Sequence, residues 1–245
     1  MQIEGKRVLV TGASRGLGYT LAFAFAEAGA QEVIAGTRKN EDRDKLNTEA
    51  AKLGAMVTPV QLDVTSDAQV NAVAQLGPVD ILVNNAGIAG YGNPVTMSFA
   101  DVEQEVAVNY LGTLRMIRAF APAMIEQRQG VIVNIATAFA KVNLPLVGTY
   151  CATKAALLSL GQALRAYLSD QGVVVITVMP TTIDTDMSRG ADVPKMGKEF
   201  VAGEILQAIR EEKQDPPIGD EARGVLSSLA KDPIGFETEM MKYRA

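Results

Sequence analysis

Short β-branched runs recur along the chain at fairly even intervals: "RVLVTG" at 7–12, "EVIAGT" at 32–37, "MVTPVQLDV" at 56–64, "VDILVNN" at 79–85, "VIVNIAT" at 131–137 and "VVVITVMP" at 173–180. Most are apolar on both faces, the pattern of strands covered by helices on two sides. Segments of helical length lie between them. Ser66 with Gln69 and Ser98 with Asp101 have N-cap-to-N3 spacing, and Gly29, Gly54 and Gly130 stand where helices should stop. Alternating strand and helix requires right-handed crossovers and a parallel sheet with helices on both faces, an α/β doubly wound fold. No Pro/Gly/Ser-rich linker interrupts residues 1–180 and no repeat longer than the βα unit is visible, so residues 1–245 read as one domain. After Pro180 the pattern loosens into a polar stretch with Met187 and Met196, a helix near 197–213, "QDPPIGD" and a short helical tail. Following a strand's carboxyl end, residues 181–198 are expected to form a substrate lid.

The chain contains no histidine. That removes the Ser-His-Asp triad, the Cys-His pair and two-histidine zinc sites together, leaving proton transfer to Tyr, Lys, Asp or Glu. The single cysteine, Cys151, offers neither a thiolate cluster for a metal nor an intrachain disulfide, which fits a reducing compartment. Early charges at Glu4, Lys6 and Arg7, and the lack of any run of ~18 apolar residues, point to a soluble, unexported, cytoplasmic protein with no membrane partner. A net charge of −5 argues against a nucleic-acid partner.

"VLVTGASRGLGYTLAFAFAEAGA" reads as strand, glycine turn and apolar helix. Gly12, Gly16 and Gly18 let the backbone turn tightly and approach a pyrophosphate at a helix N-terminus; a plain strand-to-helix turn is the other reading of three glycines. An NAD site normally places Asp or Glu at the end of the next strand to hold the ribose 2′-hydroxyl. Here that end is "AGTRKN". Thr37 has no charge to repel a phosphate, Arg38 offers a planar fork for a 2′-phosphate, and Arg15 could add a second cation, so NADP(H) is expected over NAD.

"TYCATK" at 149–154 sets Tyr150 and Lys154 four residues apart, neighbours on one helical face. A nearby ammonium is expected to lower the tyrosine pKa toward working pH, allowing Tyr150 to replace the absent histidine. An ordinary amphipathic helix with a half-buried Tyr and a snorkelling Lys is the alternative.

Together, "TGASRGLG", "NNAG" at 84–87, Asn109 in "VNYLGT" and "YCATK" resemble the ordered motifs of the short-chain dehydrogenase/reductase family, over about residues 5 to 190. The resemblance implies a Rossmann-like fold. It assigns the cofactor to Gly12, Ser14, Arg15, Gly16, Leu17 and Gly18 of the turn, to Thr37 and Arg38, and to the adenine-contacting pair Asp63 and Val64. Further on it adds Asn85, Ala86 and Gly87, the pair Tyr150 and Lys154, and Pro180, Ile183 and Thr185 near the nicotinamide. Tyr150 would exchange a proton with the substrate oxygen while hydride moves to or from nicotinamide C4, Lys154 would hold the nicotinamide ribose, and Asn109 would position a relay water.

Two positions depart from the family pattern. Thr137 stands where serine is usual and is expected to donate to the substrate oxygen despite its extra methyl. Thr181 replaces the glycine of the usual Pro-Gly pair, which puts close backbone approach there in question. The ending, "ETEMMKYRA", looks more like carbonyl reductases than acyl-carrier-protein reductases of the family. Met187 and Met196 either line a flexible pocket or anchor the lid; Phe139, Leu144 and Leu146 are further candidates for its wall, with Lys141 the one cation nearby. The expected activity is NADPH-dependent reduction of a neutral, hydrophobic ketone or aldehyde. A non-catalytic NADP-binding regulator is the alternative. Helices at 99–128 and 149–169 carry apolar surface beyond what a sheet face needs, and the resemblance implies a homodimer or homotetramer.

Overall fold

The apolar runs become parallel strands in a computed structural model that describes residues 1–243. Its first half runs β1 (Arg7–Thr11), α1 (Gly16–Glu27), β2 (Glu32–Thr37), α2 (Asn40–Leu53), β3 (Val57–Gln61), α3 (Asp67–Ala74) and β4 (Ile81–Asn84). The second half continues with α4 (Phe99–Glu105), a π-helical segment (Val106–Gly112), α5 (Thr113–Glu126), β5 (Gly130–Ile135), α6 (Gly148–Leu168) and β6 (Val173–Pro180). It closes with α7 (Lys198–Arg210), β7 (Pro217–Ile218), α8 (Gly219–Lys231) and α9 (Pro233–Met240).

Strand order is β3-β2-β1-β4-β5-β6-β7 and every pairing is parallel, the doubly wound Rossmann-like arrangement. The order reverses between β1 and β4. At such a reversal the two flanking loops leave in opposite directions and open a crevice at the strands' carboxyl ends. Side-chain alternation explains why both faces had to be apolar. Val8, Val10, Val33, Ala35, Val131 and Val133 pack with α1, α2 and α7 on one side, while Leu9, Ile34, Leu82 and Ile132 pack with α3, α5 and the end of α6 on the other.

Several helix ends follow the sequence. Ser66 Oγ accepts from the Gln69 N–H, and Gly54 ends α2 in the left-handed region at φ 63°. Ser98 sits at the N-cap of α4 without a side-chain bond. Gly130 is not a helix stop: it begins β5, where a Cβ would lie 2.6 Å from Met124 Cγ, and the chain reverses at Arg128, φ 50°. The strand β7 went unforeseen because two residues carry no periodicity, and the tail holds two helices. Among the described residues no helix is long and apolar enough to cross a membrane.

Candidate active site

At the β1/β4 crevice the glycine turn is held by "NNAG". Thr11 Oγ1 accepts from the N–H groups of Asn85 and Ala86 (3.0 Å each), and Asn85 Nδ2 donates to the carbonyls of Thr11 (2.9 Å) and Gly12 (3.2 Å). Gly12 has φ 67°, and a Cβ there would lie 2.9 Å from Ala86 Cα; a Cβ on Gly18 would lie 2.3 Å from Gly12 O. Neither of these positions has room for a side chain, and the N-terminus of α1 follows the turn with Gly16 and the buried Leu17. Asn85 spends its amide on this turn, so its direct role is structural. Ser14 is half-buried beside it.

At the end of β2, Thr37 is buried and Arg38 exposed, with no acid in the strand's last turn of sequence. Asp63 accepts from the N–H and hydroxyl of Thr65, and Val64 is buried against Gly112. Arg15 does not join Arg38: its Nε lies 3.6 Å from Asp186 of the 181–198 segment, with its side chain 76% exposed. A neighbouring carboxylate, invisible to local sequence, claims it. These residues form a cradle whose chemistry fits a dinucleotide, with glycines closing the turn after β1 and the exposed Arg38 at the end of β2.

The tyrosine and lysine do share a face of α6. Lys154 Nζ lies 5.6 Å from the centre of the Tyr150 ring and donates to the carbonyl of Ile135 at 2.7 Å. Lys154 is 4% exposed, and burial lowers its pKa to about 8. Tyr150 is half-buried and its phenol is pushed up, chiefly by burial and then by the charges of Cys151, Tyr91 and Glu105. The expected lowering of the tyrosine pKa is absent. Desolvation outweighs an ammonium whose own charge is costly to bury.

Asn109 is fully buried within the π-helical segment. Its Oδ1 accepts from Ile88 N–H, and its Nδ2 donates to Ile88 O and to Thr153 Oγ1, all at 2.9 Å. Both amide hydrogens are spent on protein, so the side chain fastens the loop after β4 to α6 rather than presenting itself to a water. Gly87 lies against it: a Cβ there would be 3.3 Å from Asn109 Oδ1 and 3.4 Å from Lys154 Nζ. Thr153, which sequence reasoning missed, completes the bridge by donating to Tyr150 O at 2.7 Å.

Thr137 Oγ1 donates to Pro180 O at 3.0 Å and accepts from Phe139 N–H at 3.3 Å. Its proton is committed to the backbone and reaches a substrate only when the hydroxyl rotates about the Cβ–Oγ1 bond. Thr181 turns its hydroxyl to Glu221 Oε2 of α8, 2.7 Å away, so the extra side chain is absorbed outside the crevice. Ile183 pairs with Met196 in a parallel bridge, and Thr185 closes a capping box with Ser188. Met196 anchors the 181–198 segment to the core, whereas Met187 is 42% exposed and its carbonyl accepts from Tyr91 OH at 2.9 Å.

A cleft of about 550 Å³ opens between the loop 88–93 and α4, and its Met97 accepts a hydrogen bond from Thr149, the residue before Tyr150. Tyr91, Asn93, Thr96, Met97 and Glu105 line the cleft; Phe139, Leu144 and Leu146 are half-buried and do not.

A parallel sheet with a glycine turn at its reversal point and a tyrosine–lysine pair beside the crevice defines an oxidoreductase of the dinucleotide-binding α/β class. The chain belongs to the short-chain dehydrogenase family, whose model, "short chain dehydrogenase", matches residues 6–194. It is similar to a sorbitol dehydrogenase of Cereibacter sphaeroides, 36% identical over 78% of this chain and 76% of the relative. A 3-oxoacyl-[acyl-carrier-protein] reductase of Thermotoga maritima is 33% identical over 97% of this chain and 95% of the relative. In structure it is similar to a short chain dehydrogenase from Burkholderia cenocepacia in complex with NADP, with TM-score 0.89 and 36% identity over 98% of this chain and 99% of that one.

Proposed function

We propose that the protein is an NADPH-dependent reductase acting reversibly on a neutral, hydrophobic ketone or aldehyde. The observation that carries this reading is the geometry of the Tyr150 phenol at the crevice, with the buried Lys154 Nζ 5.6 Å from its ring centre and held on Ile135 O. A tyrosine is protonated at working pH and can donate to a carbonyl oxygen that gains negative charge, although burial makes this phenol a weaker acid than an ordinary one. Bound in the cradle, NADPH supplies the hydride. The backbone of Gly12, Gly16 and Gly18 holds its pyrophosphate, Arg38 its 2′-phosphate, Asp63 and Val64 its adenine, and Ile183 and Thr185 its carboxamide end. Lys154, with a pKa of about 8, can take up and return a proton behind Tyr150. Asn109 acts as a positioning residue, and Thr137 reaches the substrate oxygen after rotation of its hydroxyl.

The cofactor assignment draws on Arg38 standing where an NAD site needs an acid, and on the NADP complex of the Burkholderia relative. A sorbitol dehydrogenase and an oxoacyl reductase among the relatives represent the two directions of one carbonyl–alcohol interconversion. A neutral substrate is favoured over an anionic one because the described residues lining the cleft include Asp101 and Glu105 and no Lys or Arg. Residues 181–198 serve as the lid over residues that also form the single domain of the chain. Exposed Val106, Leu111 and Tyr167 on the long helices supply apolar surface for a homodimer or homotetramer in the cytoplasm.

The test is turnover of a panel of ketones, aldehydes and keto acids with NADPH by the wild type and Tyr150→Phe. Loss of activity by 100-fold or more is expected, on the order of what general acid catalysis contributes; a variant with near-normal turnover removes Tyr150 as proton donor.

A further inference from the structure

Glu105 ends α4 with a side chain only 1% exposed. Its Oε1 accepts from the N–H of Gly90, while its Oε2 is buried and has no hydrogen-bond partner. Glu105 lines the cleft, and its charge helps push the Tyr150 phenol and the Cys151 thiol up, after the larger effect of burial on each. A carboxylate oxygen taken from water without a donor destabilises the fold, so an atom of this kind calls for something that supplies one. No Lys or Arg among the described residues lines the cleft to do so.

The corner is covered by a movable group. A Cβ on Gly90 would fall 2.1 Å from Met97 Cε and 3.1 Å from Glu105 Oε1, which places the Met97 methyl and the carboxylate next to each other on one side of that glycine. Met97 Sδ accepts from Thr149 Oγ1 at 3.4 Å, a weak bond next to Tyr150. An unbranched thioether with three rotatable bonds gives way easily to a ligand.

We propose that Glu105 determines substrate specificity: its Oε2 accepts a hydrogen bond from a hydroxyl group carried by the carbonyl substrate, with Met97 moving aside to admit it. The assignment rests on the carbonyl-reductase reading and adds one polar anchor to an otherwise neutral substrate. A hydroxyl fits better than an ammonium because it also accepts hydrogen bonds, and Asn93, Thr96 and Gln104 bring donors to the same cleft. A few placed polar groups fix a ligand's orientation in a site, and of the two carboxylates lining this cleft Glu105 is the buried one, Asp101 being exposed.

Acetophenone and its hydroxylated derivatives, reduced with NADPH by the wild type, Glu105→Gln and Met97→Ala, test this. The wild type is expected to favour a hydroxylated ketone by roughly tenfold or more in kcat/KM, mostly through KM, as loss of a hydrogen bond to a charged group implies. Glu105→Gln, whose amide presents hydrogens where Oε2 accepts, should erase that ratio. Met97→Ala leaves the carboxylate in place and should keep it, which covers the case of a Gln variant that fails to fold. Equal rates for both ketones in the wild type, or an unchanged ratio in Glu105→Gln, overturn the proposal. If the wild type reduces none of them, the carbonyl reading fails separately. Calorimetry of the NADP⁺-loaded wild type with 1-phenylethanol and its hydroxylated derivatives then decides on Glu105: equal affinities overturn the assignment, and a hydroxyl preference lost in Glu105→Gln upholds it.

Discussion

Asn109 donates a 2.9 Å hydrogen bond to Thr153 across a buried gap between the π-helical segment and α6. Thr153 passes the connection on to the backbone of Tyr150, so the helix bearing the candidate proton donor and the loop after β4 are fixed to each other by one amide. A π-helical turn has a wider bore and an irregular ladder, and here Thr113 Oγ1 caps the Asn109 carbonyl at 3.0 Å.

Thr153→Val removes the acceptor and leaves a buried Asn109 hydrogen unsatisfied. A loss of about 1–3 kcal/mol in unfolding free energy is expected by urea titration, with Thr153→Ser close to the wild type. An unchanged midpoint in Thr153→Val means that the bridge contributes nothing.

Lys154 has a pKa of about 8 in the fold against 10.5 for the ordinary side chain. Below pH 8 it is charged in both states and the folded state bears the burial cost; between 8 and 10.5 the unfolded chain binds more protons, so stability rises with pH. Tyr150 acts oppositely above pH 10, where the unfolded phenol ionises and the folded one does not. Relative to Lys154→Met, the wild type should gain about 1–3 kcal/mol between pH 7.5 and 10. Parallel curves for the two proteins rule out a buried, depressed amine.

Arg38→Ala should weaken NADPH binding by about 1–3 kcal/mol and leave NADH nearly unchanged, as expected if one charge-assisted hydrogen bond to the 2′-phosphate is lost. Fluorescence titration of both cofactors reads the difference. Equal losses would place Arg38 away from the phosphate.

Gly18→Ala puts a methyl 2.3 Å from Gly12 O and 2.4 Å from Asn85 Nδ2. Backbone must move to relieve that overlap, so a loss of about 1–3 kcal/mol in stability and weaker binding of either dinucleotide are expected from melting curves and titration. Gly203→Ala, in α7 with nothing within 4 Å of the added methyl, serves as the control and should be neutral or slightly stabilising.

Sequence by itself determined the layers of this protein and the place of its crevice. β-branched runs apolar on both faces can only lie between two helical layers, and the glycines at 12, 16 and 18 mark the tight turn from strand to helix, though the crowding at Gly12 comes from Ala86 and that at Gly18 from Asn85 as well as Gly12 O. The four-residue spacing likewise put Tyr150 and Lys154 on one face. Tertiary structure decided where the polar groups point. Thr137 meets Pro180 at a separation of 43 residues, Thr181 meets Glu221 at 40, and Arg15 meets Asp186 from the far side of the chain. A hydroxyl or guanidinium bonds whichever partner the fold brings within about 3 Å, and no local pattern encodes that choice. The same holds for the phenol of Tyr150: its proton affinity follows from how much water the fold removes around it, and the spacing to Lys154 carries no information about that.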